Sequence, residues 1–460
     1  STAPHVIYTS QSNSQEVDTV LTSRYLMPIS DLVEEPNPYN EGTPLDGVPW
    51  RHTFLDGMNV SGFNFRLTEH FGVPLSATTT RLFVNRDMME RVLAYEGNRE
   101  IREILDTKEL SRMTAREFFA LCEAVQAYAE AKSLQVVPIA GSRTNAQQLM
   151  DDLFSAVTQK LYLKWDRIKA GFVYPGTLMP PMARGEFGLD SDAFRAGFAL
   201  MRKVALFMQP GFYQMARDDA TFYFAQEKTM MIVASSWDAA SFRELIGDRF
   251  EMLIAPIPTP GPDDPVYGRF VLGPISEGNV APRGTFSFVN YHPEEEIEMA
   301  IEFMQFLTSF EGNAKFSRLS GWLPSVVGVA PSPITEPFMP VVEGYPSGFN
   351  YALNKGELRR VIETQFHLLF DREGSVEEFY EALMPALRPV IWGQVLDQYK
   401  EDRRNAARQD SMMGGHIWLS LHGNQGSAEK LGGMIDHMAE VEDRNVRLYA
   451  EIEQLKEELK

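Results

Sequence analysis

Apolar positions along the chain follow two rhythms. Short β-branched or aromatic runs, Val6-Ile7-Tyr8, Thr79 to Val84, Met230 to Val233, Met252 to Ala255 and Phe286 to Val289, read as buried strands. Longer stretches repeat their apolar residues at helical spacing. Thr114-Ala115-Arg116-Glu117 has the form of a capping box, and the helix it opens, through Ala131, carries Phe118, Leu121, Val125 and Tyr128 on one face. Ala146 to Trp165 and Ser191 to Met208 show the same stripe, the second ended by Pro210-Gly211. Pro293 to Leu307 and Val376 to Tyr399 are further helices. Glu35 to Val48 and Pro256 to Pro265, the latter with five prolines and one glycine, are irregular. Helices alternating with short apolar strands predict an α/β fold, with parallel sheets and helices on both faces.

The tail has a different texture. Ser411 to Gly433 holds six glycines and reads as a linker. Overlapping its end, Leu431, Met434, Met438, Val441, Asn445, Leu448, Ile452, Leu455 and Leu459 step by threes and fours, an a/d heptad pattern with a polar residue at one a position. Two readings stand side by side: a self-associating coiled coil that makes a homo-oligomer through residues 431–460, or one amphipathic helix packed on the chain's own body.

Charge and cysteine content narrow the function. With 460 residues and 43 basic against 63 acidic side chains, the chain has a net charge of −20. Nucleic-acid backbones and anionic membrane surfaces call for clustered Lys and Arg, so neither is an expected partner. The single cysteine, Cys122, reads as a small core residue and excludes an internal disulfide or a Cys-rich zinc site. No apolar run reaches bilayer length, and Ser1-Thr2-Ala3-Pro4-His5 lacks signal-peptide form. Nucleophile-elbow, Walker A, HExxH and GxGxxG patterns are all missing. The histidines (His5, His52, His70, His292, His367, His416, His422 and His437) show no metal-ligand spacing. Neither cofactor nor metal is expected. An α/β body without a catalytic signature points to a binding protein whose site lies between lobes.

The order of short motifs is more specific. Phe224-Ala225-Gln226-Glu227-Lys228-Thr229-Met230-Met231 leads through a strand to Ser235-Ser236-Trp237. Pro256-Ile257-Pro258, then Arg283-Gly284-Thr285-Phe286, a helix, Glu311-Gly312 and Gly321-Trp322-Leu323-Pro324-Ser325 follow. Upstream stand Pro4-His5-Val6-Ile7, Leu26-Met27-Pro28-Ile29-Ser30-Asp31-Leu32, Phe71-Gly72-Val73-Pro74, Leu82-Phe83-Val84-Asn85-Arg86-Asp87 and Thr114-Ala115-Arg116-Glu117-Phe118. This succession, over residues 4 to 400, resembles the extracellular solute-binding proteins of sugar ABC transporters, the maltose-binding-protein-like group. Departures are Glu227 and Arg283 where the family has glycine, the missing glycine ahead of Tyr25, and the family's first strand-helix-strand, which has no counterpart here.

The resemblance implies a two-lobed periplasmic-binding-protein fold with a hinge between lobes and, here, a C-terminal helical tail. Residues 1–82 with 288–322 would form the first lobe, incomplete at its N-terminus, and 83–287 with 323–410 the second. Residues 411–430 would be a linker and 431–460 the terminal helix. It further implies a carbohydrate ligand, an oligosaccharide first, held in the cleft and delivered to the permease subunits of an ABC importer. The location would be periplasmic or extracellular, with lipid anchoring left to the precursor. Sugars present C–H faces to aromatic rings and hydroxyl rims to polar groups. The candidate ligand contacts are therefore Trp237, Trp322 and Trp50, with Gln11, Ser12, Thr79, Arg81 and Arg283. Arg81 and Arg283 have a second reading as ion pairs at the hinge, and Phe212 and Tyr213 read as core packing ahead of a cleft-edge aromatic pair. The implied mechanism is hinge closure about crossings near Thr79 to Asn85 and Phe286 to Val289. The competing function is an interaction protein that keeps this body and assembles through the heptads.

Overall fold

The computed structural model describes residues 3–9, 21–59, 61–64, 67, 69–106, 108–166, 173, 178–278, 282–351, 353 and 356–458. Among these the strands are β1 (Val6–Tyr8), β2 (Phe63–Asn64), β3 (Glu69–His70), β4 (Val73–Ala77), β5 (Thr80–Asn85), β6 (Val137–Ala140), β7 (Thr229–Ser235), β8 (Met252–Ala255), β9 (Pro282–Phe288) and β10 (Leu323–Pro324). They build two separate four-stranded sheets, β1-β9-β4-β10 and β6-β7-β5-β8, and the hairpin β2-β3. The expectation of parallel sheets fails. Only β6 and β7 are parallel; every other pair is antiparallel. The reason is the route of the chain. It leaves the first sheet at Ala77 and enters the second at Thr80, so β5 starts at the junction. Strands β7 and β8 run toward that junction and must oppose β5.

Each sheet has its own core. The first packs Ile29, Val33, Trp50, Phe54, Val73 and Phe288 together. The second buries β7 throughout and gathers the rings of Phe118, Phe154, Phe194, Phe198 and Phe379. Here lie helices α1 (Ala115–Ala131), α2 (Arg143–Ala156) and α3 (Asp192–Ala205). The capping box at α1 forms as the sequence predicts: Thr114 Oγ1 accepts from Glu117 N at 3.3 Å, and Thr114 N donates to Glu117 Oε2 at 2.7 Å. Cys122 is buried in this core, and burial pushes its thiol well up. A third apolar cluster joins the lobes: Ala77 and Leu323 of the first sheet meet Phe83, Ile232, Ala239 and Phe338.

Helix α4 (Ala239–Ile246) follows β7, and α5 (Glu294–Leu307) and α6 (Phe310–Ser320) follow β9. Helix α7 (Glu357–Thr364) precedes α8 (Val376–Leu421), which is far longer than its sequence suggests. Most of the stretch read as a linker is helical. Helix α8 runs to Leu421, Gly423 turns the chain at φ +86°, and α9 (Gln425–Glu458) folds back along α8. Asn424 caps the return by accepting from Ser427 N at 2.8 Å. Only Gly423 is required by backbone conformation; Gly414, Gly415, Gly432 and Gly433 face open space. Glycine costs a helix about 1 kcal/mol per residue. Packing against the facing helix outweighs that here. Met434, Met438, Asn445 and Ile452 of the heptad stripe are buried within the chain, and Tyr449 meets Tyr399 at 5.8 Å. The burial of these four residues agrees with the own-body reading.

Candidate functional site

Among the described residues the chain passes between the sheets at Thr78-Thr79, between β8 and β9, and after β10. Side chains lace these crossings together. Thr79 Oγ1 donates to Phe338 O at 2.6 Å, and Ser236 N donates to Thr79 O at 2.9 Å. Arg81, on β5, is 3% exposed. It makes a two-pronged ion pair with Glu277, 2.8 and 3.0 Å, and donates to the carbonyls of Pro337 at 3.0 Å and Met339 at 2.8 Å. Glu277 in turn accepts from Val341 N at 2.8 Å. Thr79 and Arg81 are therefore fasteners of the junction rather than free ligand donors. Of the two roles the sequence allowed Arg81, the structure shows the ion pair. Thr79 to Asn85, expected to cross between lobes, is mostly the inner strand β5 of the second sheet, and Phe286 to Val289 belongs largely to β9 of the first.

The floor between the sheets is built from strand ends. β7 delivers Ser235 and Ser236 to the junction, both buried, and then Trp237, whose residue remains 40% exposed. The turn is locked by Asp238, which accepts from Ser235 N at 3.0 Å and pairs with Arg217. Burial pushes the Asp238 carboxyl up, and the Arg217 charge opposes it. No ring stacks on Trp237 among the described residues. Gln148 of α2 donates to Ser235 Oγ at 3.2 Å, and Ser142 caps α2 by accepting from Asn145 N at 3.1 Å. Opposite, the loop after α6 brings in Trp322. A Cβ placed on Gly321 would lie 3.9 Å from Cβ of Ala240, so this loop of the first lobe touches the first turn of α4, three residues from Trp237. Trp322 is half-buried and meets Phe316 edge to face at 5.8 Å.

Trp50 does not belong to this floor. It is fully buried in the first lobe's core, and its Nε1 donates to Thr308 Oγ1 at 3.0 Å. A tryptophan beside a proline gives no hint of which surface it will meet, and here the core takes it. Gln11 and Ser12 lie outside the described residues. Arg283 is described only through its backbone, opposite Ser76 in the β4–β9 ladder. Phe212 is core, and half-buried Tyr213 meets Phe366 edge to face at 5.4 Å.

Sequence reasoning missed a polar group beside the junction. Asp151 and Asp152 of α2 are half-buried, and burial pushes both carboxyls up to about 7. For Asp152 the charges of Asp151 and Glu277 add to the rise while Arg81 opposes it. Nearby, Glu363 accepts from Tyr351 Oη at 3.0 Å, Arg359 Nε at 2.6 Å and Arg143 at 3.0 Å. Burial alone would raise the Glu363 carboxyl, but these donors hold it below the usual carboxylate range. A pocket of about 320 Å³ adjoins this group, lined in part by Gln209, Tyr213, Glu363, Phe366 and Phe370. An adjacent Asp pair in a chain rich in carboxylates carries no signal, and Glu277 and Glu363 are more than a hundred residues away, so only the fold reveals the group.

No helix among the described residues is long and apolar enough to cross a membrane. No curated protein matches the chain by sequence. Solved structures do match its fold. A chitin oligosaccharide binding protein is similar at 13% identity and a TM-score of 0.52, covering 84% of this chain and 83% of its own. The GacH receptor of Streptomyces glaucescens, solved unliganded and with acarbose, is similar at 13% identity and 0.52, covering 85% and 84%. Maltose-bound MalE3 of T. maritima is similar at 15% identity and 0.50, covering 80% and 81%. Identities this low speak for the two-lobed fold alone. A family model, described as bacterial extracellular solute-binding protein, matches residues 10–339. Two sheets joined by laced crossings, with an exposed tryptophan at the junction and this match over most of the chain, make the protein a member of the bacterial extracellular solute-binding proteins, binding proteins rather than enzymes.

Proposed function

We propose that the chain is the substrate-binding subunit of an ABC importer, taking a carbohydrate, an oligosaccharide first, in the cleft between its lobes and handing it to a membrane permease. The observation that carries this reading is Trp237. A large indole left 40% exposed at the end of a fully buried strand, beside two serines, has the form of a stacking platform for a sugar face. Trp322 stands on the opposing loop. The neighbours named for chitin oligosaccharide, acarbose and maltose support the same ligand class. A ligand touching both lobes favours the closed state, because only there does it gain both sets of contacts. The assembly reading is the less favoured, since Met434, Met438, Asn445 and Ile452 of the heptad stripe are buried within the chain.

The test is thermal unfolding of the 460-residue chain with maltotriose, chitotriose, xylotriose and raffinose. A ligand bound only to the folded state adds about 2.7 kcal/mol at one hundred times its Kd, an upward shift of several degrees. We expect one sugar class to give a dose-dependent rise. Trp237→Ala should weaken that binding at least tenfold while leaving the ligand-free midpoint unchanged. Failure of every sugar at millimolar concentration would remove the carbohydrate assignment.

A further inference from the structure

The antiparallel register of the first sheet brings two histidines together from opposite ends of the sequence. Val6 pairs with Phe288, and Val289 N donates to His5 O at 2.9 Å, which sets His5 alongside the chain as it leaves β9. That chain turns at once into α5, placing His292 just ahead of the helix and Glu296 on its first turn. The imidazoles of His5 and His292 lie 3.9 Å apart, centroid to centroid, tilted by 33°. Glu296 Oε2 is 2.7 Å from His5 Nε2 and 3.6 Å from His292 Nδ1. One ligand atom from each of the three side chains lies within 4.8 Å of the other two.

Two observations set this cluster apart from a surface ion pair. The His292 side chain is only 3% exposed, and its Nε2 is buried with no hydrogen-bond partner among the described residues. The nitrogen that faces Glu296 is Nδ1, 3.6 Å from Oε2 and beyond hydrogen-bond length, so it is available to a cation while Nε2 keeps the proton. Among the described residues, no other group of His, Cys, Asp or Glu has this mutual spacing. Two imidazoles and one carboxylate are a donor set for a borderline cation, with three protein ligands and one open position. Ligand bonds near 2.0–2.2 Å in a tetrahedron put the ligand atoms about 3.4 Å apart. The observed 2.7 and 3.6 Å to Glu296 straddle that value, and the histidine–histidine separation lies within 4.8 Å.

We propose that His5, His292 and Glu296 form a zinc site on the first lobe, completed by water, that clips the edge strand β1 to the start of α5. None of its three residues is among the junction residues described above, and the site does not depend on the carbohydrate reading. Its place explains why the eight histidines show no metal spacing in the sequence: His5 and Glu296 are 291 residues apart.

The experiment is calorimetric titration of zinc chloride into the metal-stripped full chain, with thermal unfolding at the same zinc concentrations. We expect one zinc per chain, a raised midpoint, and at least tenfold weaker binding in His5→Ala, Glu296→Gln and His292→Ala. His367→Ala, which removes an exposed histidine elsewhere, should bind as the unaltered chain does. No binding at 100 µM zinc would overturn the proposal, as would binding undiminished in both His5→Ala and Glu296→Gln. These two act on exposed side chains, so they stay informative even if His292→Ala folds poorly.

Discussion

Arg81 offers the sharpest test of the junction, because a fastener and a ligand contact respond to mutation in opposite ways. Arg81→Met keeps most of the side chain's volume and removes its charge and all its donors. Glu277 then loses a two-pronged partner, and the carbonyls of Pro337 and Met339 lose their donors. Breaking one side of a buried ion pair costs about 3–5 kcal/mol. Glu277 is 27% exposed and keeps the Val341 N–H, so water and backbone recover part of that loss. We expect about 3 kcal/mol in urea unfolding, and a fall in melting midpoint of roughly 6–12 °C for a lobe-sized cooperative unit.

The double variant Arg81→Met/Glu277→Met separates the pair from its surroundings. Replacing a buried pair by apolar groups restores much of the stability lost when one partner is removed. It should therefore be at least about 1 kcal/mol more stable than Arg81→Met alone. Sugar affinity per folded molecule should change little in either protein. A single variant within 1 kcal/mol of the parent, or one of normal stability with ligand binding abolished, would refute the fastener and return Arg81 to the ligand contacts.

Three further outcomes follow from the same geometry. Trp50→Phe should cost about 2 kcal/mol through the lost bond to Thr308 and the space left behind, with sugar binding intact; a selective loss of binding would contradict the core placement. Asp151 and Asp152 have folded pKa values above the unfolded carboxylate value near 4, so the folded state holds protons the unfolded chain has released. Their contribution to stability is greatest below about pH 4, is lost as pH rises toward about 7, and falls by at most about 1.4 kcal/mol per pH unit for each group. Urea unfolding from pH 5 to 8 should show that decline, and Asp152→Asn should flatten it; an unchanged slope would show that Asp152 ionises normally. Gly141→Ala would set a Cβ 2.7 Å from Met208 Sδ and 2.8 Å from Phe212 Cβ, so it should lower the midpoint by several degrees, whereas Gly432→Ala, in open space on α9, should not lower it.

What the sequence disclosed and what it hid divide by range. Short continuous apolar runs located β1, β5, β7, β8 and part of β9, because strands at the centre of a sheet are covered on both faces, and the 3.6-residue stripe located α1, α3 and α5, because a helix buries one face. The exposure of Trp237 follows from its place, because a small-residue turn after a buried run leaves a large ring little core to enter; its role as a ligand contact is part of the proposal. The single helix read over Ala146 to Trp165 is interrupted at Val157-Thr158 by tertiary contacts: Thr158 Oγ1 bonds Phe349 O at 2.6 Å, and a Cβ on Gly348 would come within 2.3 Å of Ser155 O. The partner of Arg81, the stack of His5 on His292 and the burial of Trp50 depend on residues hundreds of positions away. The glycines of the tail were misleading for a related reason. They lower local helix propensity, but the opposite face of each helix finds a partner.

That hairpin also bears on closure. Ile452, near the end of α9, belongs to the core of the second lobe, whereas Lys430, near its start, reaches the first lobe, 3.1 Å from Glu69 and 3.3 Å from Asp31. Burial would lower the Lys430 pKa, but the two carboxylates raise it, so the ammonium stays charged where it touches the first lobe. Arg408 of α8 adds a bond to Ser23 Oγ at 3.1 Å. The hairpin is thus rooted in one lobe and rests on the other through polar contacts. Such contacts, partly exposed and worth little each, can slide or break at small cost, whereas the apolar root cannot. A hinge motion would then carry the hairpin with the second lobe and exchange its ion pairs on the first. The Arg81 lacing gives the junction a fixed pivot, and Lys430 marks the far surface on which the moving part has to re-form its contacts.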